Sequence, residues 1–117
     1  MRFSWLLPAL ILSFVIAVLQ HYAIDNFLYW RYPWFDVPMH LLGGAVIATV
    51  LVAFIHDFQP RLFLLGAVLV FIGWEIFEYT FGLPREANYV FDTALDLLND
   101  TVGAVFVYGI ARLTVWR

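Results

Sequence analysis

The sequence contains no cysteine and no lysine, and only 13% of its 117 residues are charged. Without cysteine the chain forms no disulfide, no thiolate metal site and no cysteine nucleophile. Its six basic residues are arginines scattered along the chain, and the net charge is −3, which argues against a nucleic-acid partner. A glycine-rich phosphate loop and a Ser-His-Asp spacing are also missing, so nucleotide enzymes and serine hydrolases are excluded.

Apolar residues dominate the rest of the chain. Hydrophobic residues make up 64% of the sequence and aromatic residues 20%, and the mean hydropathy is +0.88. A soluble domain of this size has too little interior to bury so much apolar surface. The composition therefore predicts a membrane protein with the lipid bilayer as its surroundings.

Four apolar stretches are each about as long as a bilayer-spanning helix, which needs roughly 20 residues. They are Phe3–Ile24, Val37–Ile55, Leu62–Leu83 and Thr93–Leu113. A short connection between the second and third favours antiparallel neighbours, so we predict an all-α integral membrane four-helix bundle with up-down topology, forming one domain over residues 1–117. The first stretch follows Arg2 as a signal peptide would, but no small-residue cleavage site follows it, and we interpret it as a retained span.

Residues typical of helix ends lie at the borders of these stretches. Asp36 is placed to cap the second helix, and Pro60 to open the third. Gly82 followed by Pro84 predicts the end of the third helix. Thr93-x-x-Asp96 matches a capping box and predicts the start of the fourth.

The arginines predict the orientation of the chain. With four spans, two arginines lie on one side, Arg31 and Arg85, and four on the other, Arg2, Arg61, Arg112 and Arg117. Because loops rich in arginine stay in the cytoplasm, we predict that both termini are cytoplasmic.

Seven ionisable residues lie within or beside the apolar stretches at helical spacing. They are His40, Glu75, Glu78, Asp96 and Asp100, flanked by Asp36 and Asp92. An acidic side chain at the bilayer centre costs about 2.5–3.5 kcal/mol, so such residues are by default candidates for function. In alternating helices all seven lie in the outer leaflet, and their i, i+3 and i, i+4 spacings give each helix one polar stripe. Since lipid is a poor neighbour for these stripes, we expect them to face one another.

Six carboxylates in one pocket cannot all stay ionised without protons or a bound cation. Oxygen donors with one imidazole suit a divalent cation such as Mg²⁺, Mn²⁺, Ca²⁺ or Zn²⁺. We predict the metal ligands to be His40, Glu75, Glu78, Asp96 and Asp100, with Asp36 and Asp92 in second rank because both also fit helix caps or interfacial loop positions. His40 and Glu75 are the hypothetical catalytic residues, with His40 as ligand or general base for a metal-activated water. Alternatively, His40 only hydrogen-bonds a neighbouring carbonyl, and Asp96 only completes the capping box.

The ordered motifs around these residues resemble a known family. They are Asp36-x-x-x-His40, Gly43-Gly44, Trp74-Glu75-x-x-Glu78, and Tyr89-x-x-Asp92-Thr93-x-x-Asp96-Leu97-x-x-Asp100-Thr101-x-Gly103-Ala104. Over about 60% of the chain they resemble the YjdF-like family of small bacterial inner-membrane proteins. The VanZ-like group is similar more distantly, but Asp100 stands where that group has Asn and Glu78 where Gln is usual. The resemblance implies a location in the cell inner membrane. VanZ-like proteins are associated with resistance to lipoglycopeptide antibiotics, whereas YjdF-like proteins have no assigned activity.

Three functions fit the polar stripes. The first is a polar site near the outer leaflet that binds or acts on a lipid-like or head-group ligand, with a metal in one version. The second is transport, in which the carboxylates form a proton or cation pathway. The third is an accessory or structural subunit whose polar stripe binds a partner membrane protein or a second copy of the chain.

Overall fold

The computed structural model describes residues 1–83 and 87–117, and throughout these ranges its regular structure is helical. The helices are α1 (Phe3–Asp25), the short α2 (Leu28–Arg31), α3 (Asp36–Phe54), α4 (Pro60–Phe81) and α5 (Tyr89–Thr114). Four of them, α1, α3, α4 and α5, are long and apolar enough to cross a membrane, which confirms the predicted all-α fold with four spans. The predictions made for Pro84 and Arg85 lie outside the described residues.

Helix α3 lies at the centre of the molecule. It packs most extensively against α5, and it also contacts α1 and α4. Most large side chains of α1 are exposed, as suits a helix that faces lipid. Helices α1 and α4 are therefore held mainly by α3 and make little contact with each other in the described part of the chain.

Two glycines bring α3 and α5 into backbone contact. A Cβ atom added to Gly44 would lie 1.9 Å from the carbonyl oxygen of Asp100, and one added to Gly103 would lie 2.1 Å from that of Leu41. Only glycine fits at such an approach, because real Cβ atoms need more than 3.0 Å. The contact lies beside the ionisable residues of both helices and sets the distance between their polar stripes.

The ends of α4 agree with the sequence analysis. Pro60 is the first residue of α4. Gly82 ends it in the left-handed conformation, with φ of 62°. The amide of Leu83 donates a further hydrogen bond to the carbonyl of Glu78 at 3.2 Å, which completes a glycine C-cap.

Two predicted caps are wrong. Helix α5 begins four residues before Thr93, because the Asn88 side chain accepts a hydrogen bond from the amide of Phe91 at 3.2 Å and caps the earlier turn. Thr93 and Asp96 thus lie inside α5 and form no capping box. Asp36 is the first residue of α3 and not its N-cap. The N-cap position is occupied by Phe35, whose side chain makes no capping hydrogen bond.

Both chain termini meet at the end of the molecule opposite the ionisable cluster. The amide of Arg2 donates to the carbonyl of Ala53 at 2.7 Å, and its guanidinium donates to Ile55 at 2.7 Å and to Val115 at 3.3 Å. The N-terminus, the end of α3 and the end of α5 are therefore joined. The apolar core extends from here toward the molecular centre and comprises Ala48, Val52, Ile55, Phe63, Ala67, Phe71, Ala104, Val107, Ala111 and Trp116.

Candidate functional site

His40 lies between carboxylates on both sides of its ring. Nδ1 is 3.1 Å from Oδ1 of Asp100, while Nε2 is 3.5 Å from Oδ1 of Asp36 and 3.5 Å from Oδ1 of Asp96. The His40 side chain is only 6% exposed. Helix α3 supplies the histidine and Asp36 one turn apart, and α5 supplies the other two acids one turn apart, so the glycine contact between the helices aligns the two pairs.

Helix α4 adds two glutamates to this arrangement. One ligand atom from each of His40, Glu75, Glu78 and Asp96 lies within 4.8 Å of the others, close enough for one cation to contact all four. Glu75 is 5% exposed; the Thr93 hydroxyl of α5 interacts with its carboxylate, but Oε1 makes no hydrogen bond of ordinary geometry to the described residues. An ionised carboxylate in that position is costly unless a proton or a cation meets it.

A second group of acids adjoins the first. Single carboxylate oxygens of Asp36, Asp92 and Asp96 lie within 4.8 Å of one another, and Asp96 belongs to both groups. Asp92, predicted from the sequence as a second-rank ligand that also fits a cap or loop position, lies in the first turn of α5 and is buried. The earlier start of α5 at Tyr89 is the reason, because it turns Asp92 onto the same buried stripe as Asp96.

Asp100 lies on the Nδ1 side of His40, with Oδ1 3.1 Å from that nitrogen, and belongs to neither group of converging ligand atoms. Its predicted role as a metal ligand stays a prediction. A carboxylate on one imidazole nitrogen fixes the ring and leaves the other nitrogen for a metal. This geometry suits an orienting role for Asp100 better than a ligand role.

A cavity of about 240 Å³ adjoins the cluster, much larger than the space one water needs. His40, Glu78 and Asp100 form its polar end. The other walls are mainly apolar. They come from four helices: Ile16 and Gln20 of α1, Tyr29 of α2, Met39, Gly43, Val46 and Ile47 of α3, and Val70, Phe71 and Trp74 of α4. The cavity thus lies between α1 and α4, the two helices that hardly touch, with its polar end at the acids.

Two polar residues of this cavity escaped the sequence analysis. The hydroxyl of Tyr29 donates a hydrogen bond to Oε1 of Gln20. Burial, together with the carboxylates of Asp36 and Glu78, raises the pKa of Tyr29 above its ordinary range, so the hydroxyl keeps its proton and stays a donor. Gln20 could have been found in the sequence, because it is a polar residue inside an uncharged stretch. Tyr29 could not, because the sequence shows it only as one of several aromatic residues typical of a membrane interface.

Asn99 is a third polar residue that was not predicted from the sequence. It is buried on α5, and its Nδ2 atom has no hydrogen-bond partner among the described residues. It follows Asp92 by seven residues, so the periodicity of the stripe was the signal that pointed to it.

The comparison with family models covers the whole molecule. The model described as "Predicted membrane protein (DUF2238)" matches residues 1–117. The chain belongs to the DUF2238 family. The comparisons of this DUF2238 chain with curated proteins and with solved structures give no match. Family membership and the four apolar helices together make it a membrane protein whose helices lie in a lipid bilayer.

Proposed function

We propose that this protein binds the polar head group of a membrane lipid, or of a lipid-linked molecule, through a divalent cation held by His40, Glu75, Glu78 and Asp96. The observation that carries the proposal is the convergence at Glu75: its carboxylate is buried, and three other potential ligand atoms, from His40, Glu78 and Asp96, lie within 4.8 Å. A cation at this point offsets the charges of the three acids.

The class of ligand follows from the cavity. Its polar end is formed by the same cluster, and its remaining walls are mainly apolar, which matches a molecule with a charged head and a hydrocarbon tail. Since α1 and α4 hardly touch, the tail has a path from the bilayer to the cavity between them. In this arrangement Asp100 holds the His40 ring so that Nε2 faces the cation.

Two other functions receive less support. A transport path needs polar groups across the whole membrane, but beyond the acids the described interior continues as the apolar core around Val52 and Phe63. An accessory subunit that binds a partner through its polar stripe needs that stripe on the surface, whereas His40, Asp96 and Asp100 are buried against one another.

The membrane and its sides belong to the same proposal. We propose the cell inner membrane and cytoplasmic termini, from the distribution of the arginines and the resemblance to the YjdF-like family. The acid cluster then opens toward the outer leaflet. The YjdF-like relationship is the narrower assignment proposed within DUF2238.

Cation binding is tested by thermal unfolding of the detergent-purified protein. Protein stripped with EDTA and given Mn²⁺ at 100 times its Kd should gain about 2.7 kcal/mol of unfolding free energy. Glu75→Gln should lose this gain, whereas Asp57→Asn, an exposed acid at the opposite end, should keep it. If neither EDTA nor Mn²⁺ changes the free energy of unfolding of the wild type, the cluster binds no cation.

Lipid binding is tested with two tryptophan substitutions on α4. Val70 lines the cavity and Val68 does not, although the two are equally exposed, 42% and 41%. Native mass spectrometry of protein released from membranes should find a lipid on the wild type and on Val68→Trp, and at least several-fold less on Val70→Trp. If both variants retain equal amounts of lipid, the cavity is not where the lipid binds.

A further inference from the structure

The cavity has a pair of polar residues that the cation site does not use, Gln20 of α1 and Tyr29 of α2. The Tyr29 hydroxyl donates a hydrogen bond to Oε1 of Gln20. A side-chain amide has one oxygen and two N–H donors, so engaging the oxygen leaves the N–H groups of Gln20 to meet a ligand. The pair therefore presents hydrogen-bond donors in a cavity whose polar end is otherwise acidic.

The Gln20–Tyr29 pair lies at about the same depth in the membrane as the cation site. Gln20 is little more than one turn from the end of α1, and His40 is about one turn from the start of α3, which follows after the short α2. Burial, and then the carboxylates of Asp36 and Glu78, raise the pKa of Tyr29, which agrees with a position close to the acids. One small head group can therefore reach both the cation and the pair.

We infer that the head group is a phosphate ester, with one phosphate oxygen bound to the cation and another accepting a hydrogen bond from the Gln20 amide. This inference rests on the proposed function and narrows it, because the proposal itself names no head-group chemistry. Divalent cations such as Mn²⁺ and Mg²⁺ bind anionic oxygen, and N–H donors bind phosphate oxygens strongly. Among the described lining residues none is an arginine, so the cation and the amide are the partners left for an anion.

The backbone before α2 is strained in a way that brings Tyr29 to the cavity. Phe27 has φ of 56°, in the left-handed region that bulky residues rarely adopt, and α2 begins immediately after it. The Tyr29 ring then lies edge-on to that of Phe35, with centroids 5.4 Å apart, while its hydroxyl reaches Gln20. Tyr29 is thus a positioning residue, held at the start of α3, that orients the amide which binds the phosphate.

The experiment compares three probes by calorimetric titration of the full chain, purified in a phosphate-free detergent and saturated with Mn²⁺. The probes are dioctanoyl phosphatidylglycerol, dioctanoylglycerol, which has the same tails and no phosphate, and inorganic phosphate, which has no tail. The wild type should bind the phospholipid about 10-fold or more tightly than either of the others.

Variants of the pair test the contact itself. Gln20→Leu should weaken phospholipid binding by about 10–100-fold, the range for one hydrogen bond to a charged group, and leave dioctanoylglycerol unchanged. Gln20→Glu keeps the shape without the donors and should weaken it at least as much. Tyr29→Phe should weaken it several-fold, with no further effect in Gln20→Leu, because Tyr29 acts through Gln20. Gln59→Leu and Tyr32→Phe, both at exposed positions, should match the wild type.

Each part of the inference has a result that would overturn it, with folding of all variants checked by circular dichroism. If both Gln20 variants bind the phospholipid like the wild type, or if dioctanoylglycerol binds as tightly, the phosphate contact is wrong; loss of lipid binding in EDTA would then leave the proposed function intact. If EDTA leaves phospholipid binding unchanged, the proposed cation is wrong as well. Additive effects of Tyr29→Phe and Gln20→Leu would contradict the positioning role. Inorganic phosphate that binds as tightly as the phospholipid would make the ligand free phosphate and not a lipid.

Discussion

His40 is the residue on which the arrangement of the cluster depends, and its two nitrogens have different neighbours. Asp100 contacts Nδ1, while Asp36 and Asp96 approach Nε2. A carboxylate behind a metal-bound histidine typically contributes 10–100-fold in metal affinity. The two sides of the ring therefore give different predictions for mutation.

We expect Asp100→Asn to weaken Mn²⁺ binding by about 10–100-fold without changing the number of ions bound. The amide still accepts from the ring but no longer stabilises it with a charge. Calorimetric titration of the purified protein measures the affinity, and Thr101→Val, an exposed neighbour on α5, is the control. If Asp100→Asn instead lowers the number of ions, Asp100 is a ligand, as the sequence analysis predicted.

Glu75→Gln separates a functional acid from a structural one in the metal-free protein. A structural acid would leave its partners unpaired on removal and destabilise the fold. Glu75 has a buried oxygen without a hydrogen-bond partner in the described chain, so the metal-free variant should unfold within about 1 kcal/mol of the wild type or above it. Denaturation in the presence of EDTA measures this difference, and a loss of several kcal/mol would contradict it.

The sequence predicted the neighbours of His40 better than their roles. Helical spacing and shared depth placed His40, Glu75 and Glu78 together, and the 4.8 Å separations agree with that placement, while the function of the cluster stays a prediction. Spacing along one helix does not say which ring nitrogen an acid from another helix approaches. The position of Asp100 behind Nδ1 therefore needed the structure.

At the scale of helices, the contact between α3 and α5 aligns the cluster. We expect Gly44→Ala and Gly103→Ala each to destabilise the protein by about 1–3 kcal/mol or more, since the added methyl group meets backbone oxygen. Among the described residues, Gly73 and Gly109 have no neighbouring atom within 4 Å of an added Cβ, so Gly73→Ala and Gly109→Ala should be neutral or gain about 0.5–1 kcal/mol. Denaturation of all four variants tests the pattern, and equal effects would mean that the two helices do not approach so closely.

The start of α5 decides whether Asp92 joins the cluster. Asn88→Ala should cost about 1 kcal/mol, because the cap on the first turn is lost, and Asn88→Asp should restore it. Hydrogen exchange of the amides near Phe91 shows whether that turn opens first. A larger loss for Thr93→Val than for Asn88→Ala would favour the capping box at Thr93.

The sequence predicted the residues that begin and end α4, but it missed the first turn of α5. Pro60 and Gly82 restrict the backbone wherever they occur, so each of them marks a helix end independently of the rest of the fold. Polar caps compete, and both Asn88 and Thr93 are acceptable starts in isolation. The structure uses the earlier one, which extends α5 by four residues and buries Asp92.

At the scale of the whole molecule, the cavity arises from the way the helices are assembled. Helix α3 holds α1 and α4 apart, so the space between them stays open beside the acids. Sequence periodicity gives little information about this arrangement, because Phe3–Ile24 contains no charged residue and no polar stripe that would orient α1. Tyr29 and Gln20 became recognisable as cavity residues only after α1 and α2 were in place.

The shared end of the two termini gives a test of sidedness. Arg2 hydrogen-bonds the ends of α3 and α5, so the termini and the turn around Asp57 lie at one end of the molecule, and Tyr32 precedes α3 at the other. The arginine distribution predicts that the Asp57 end is cytoplasmic. Because the chain has no cysteine, Asp57→Cys and Tyr32→Cys each introduce a single reactive thiol.

A membrane-impermeant maleimide added to spheroplasts should therefore label Tyr32→Cys and not Asp57→Cys, and both should react after the membrane is permeabilised. Both positions are exposed, so a difference in labelling reports the side of the membrane rather than burial. The opposite labelling pattern would show that the protein has the reverse orientation. The acid cluster would then face the cytoplasmic leaflet, and the distances within the cluster would be unchanged. Labelling of both variants before permeabilisation would contradict the arrangement of the spans themselves, since an odd number of crossings separates Tyr32 from Asp57.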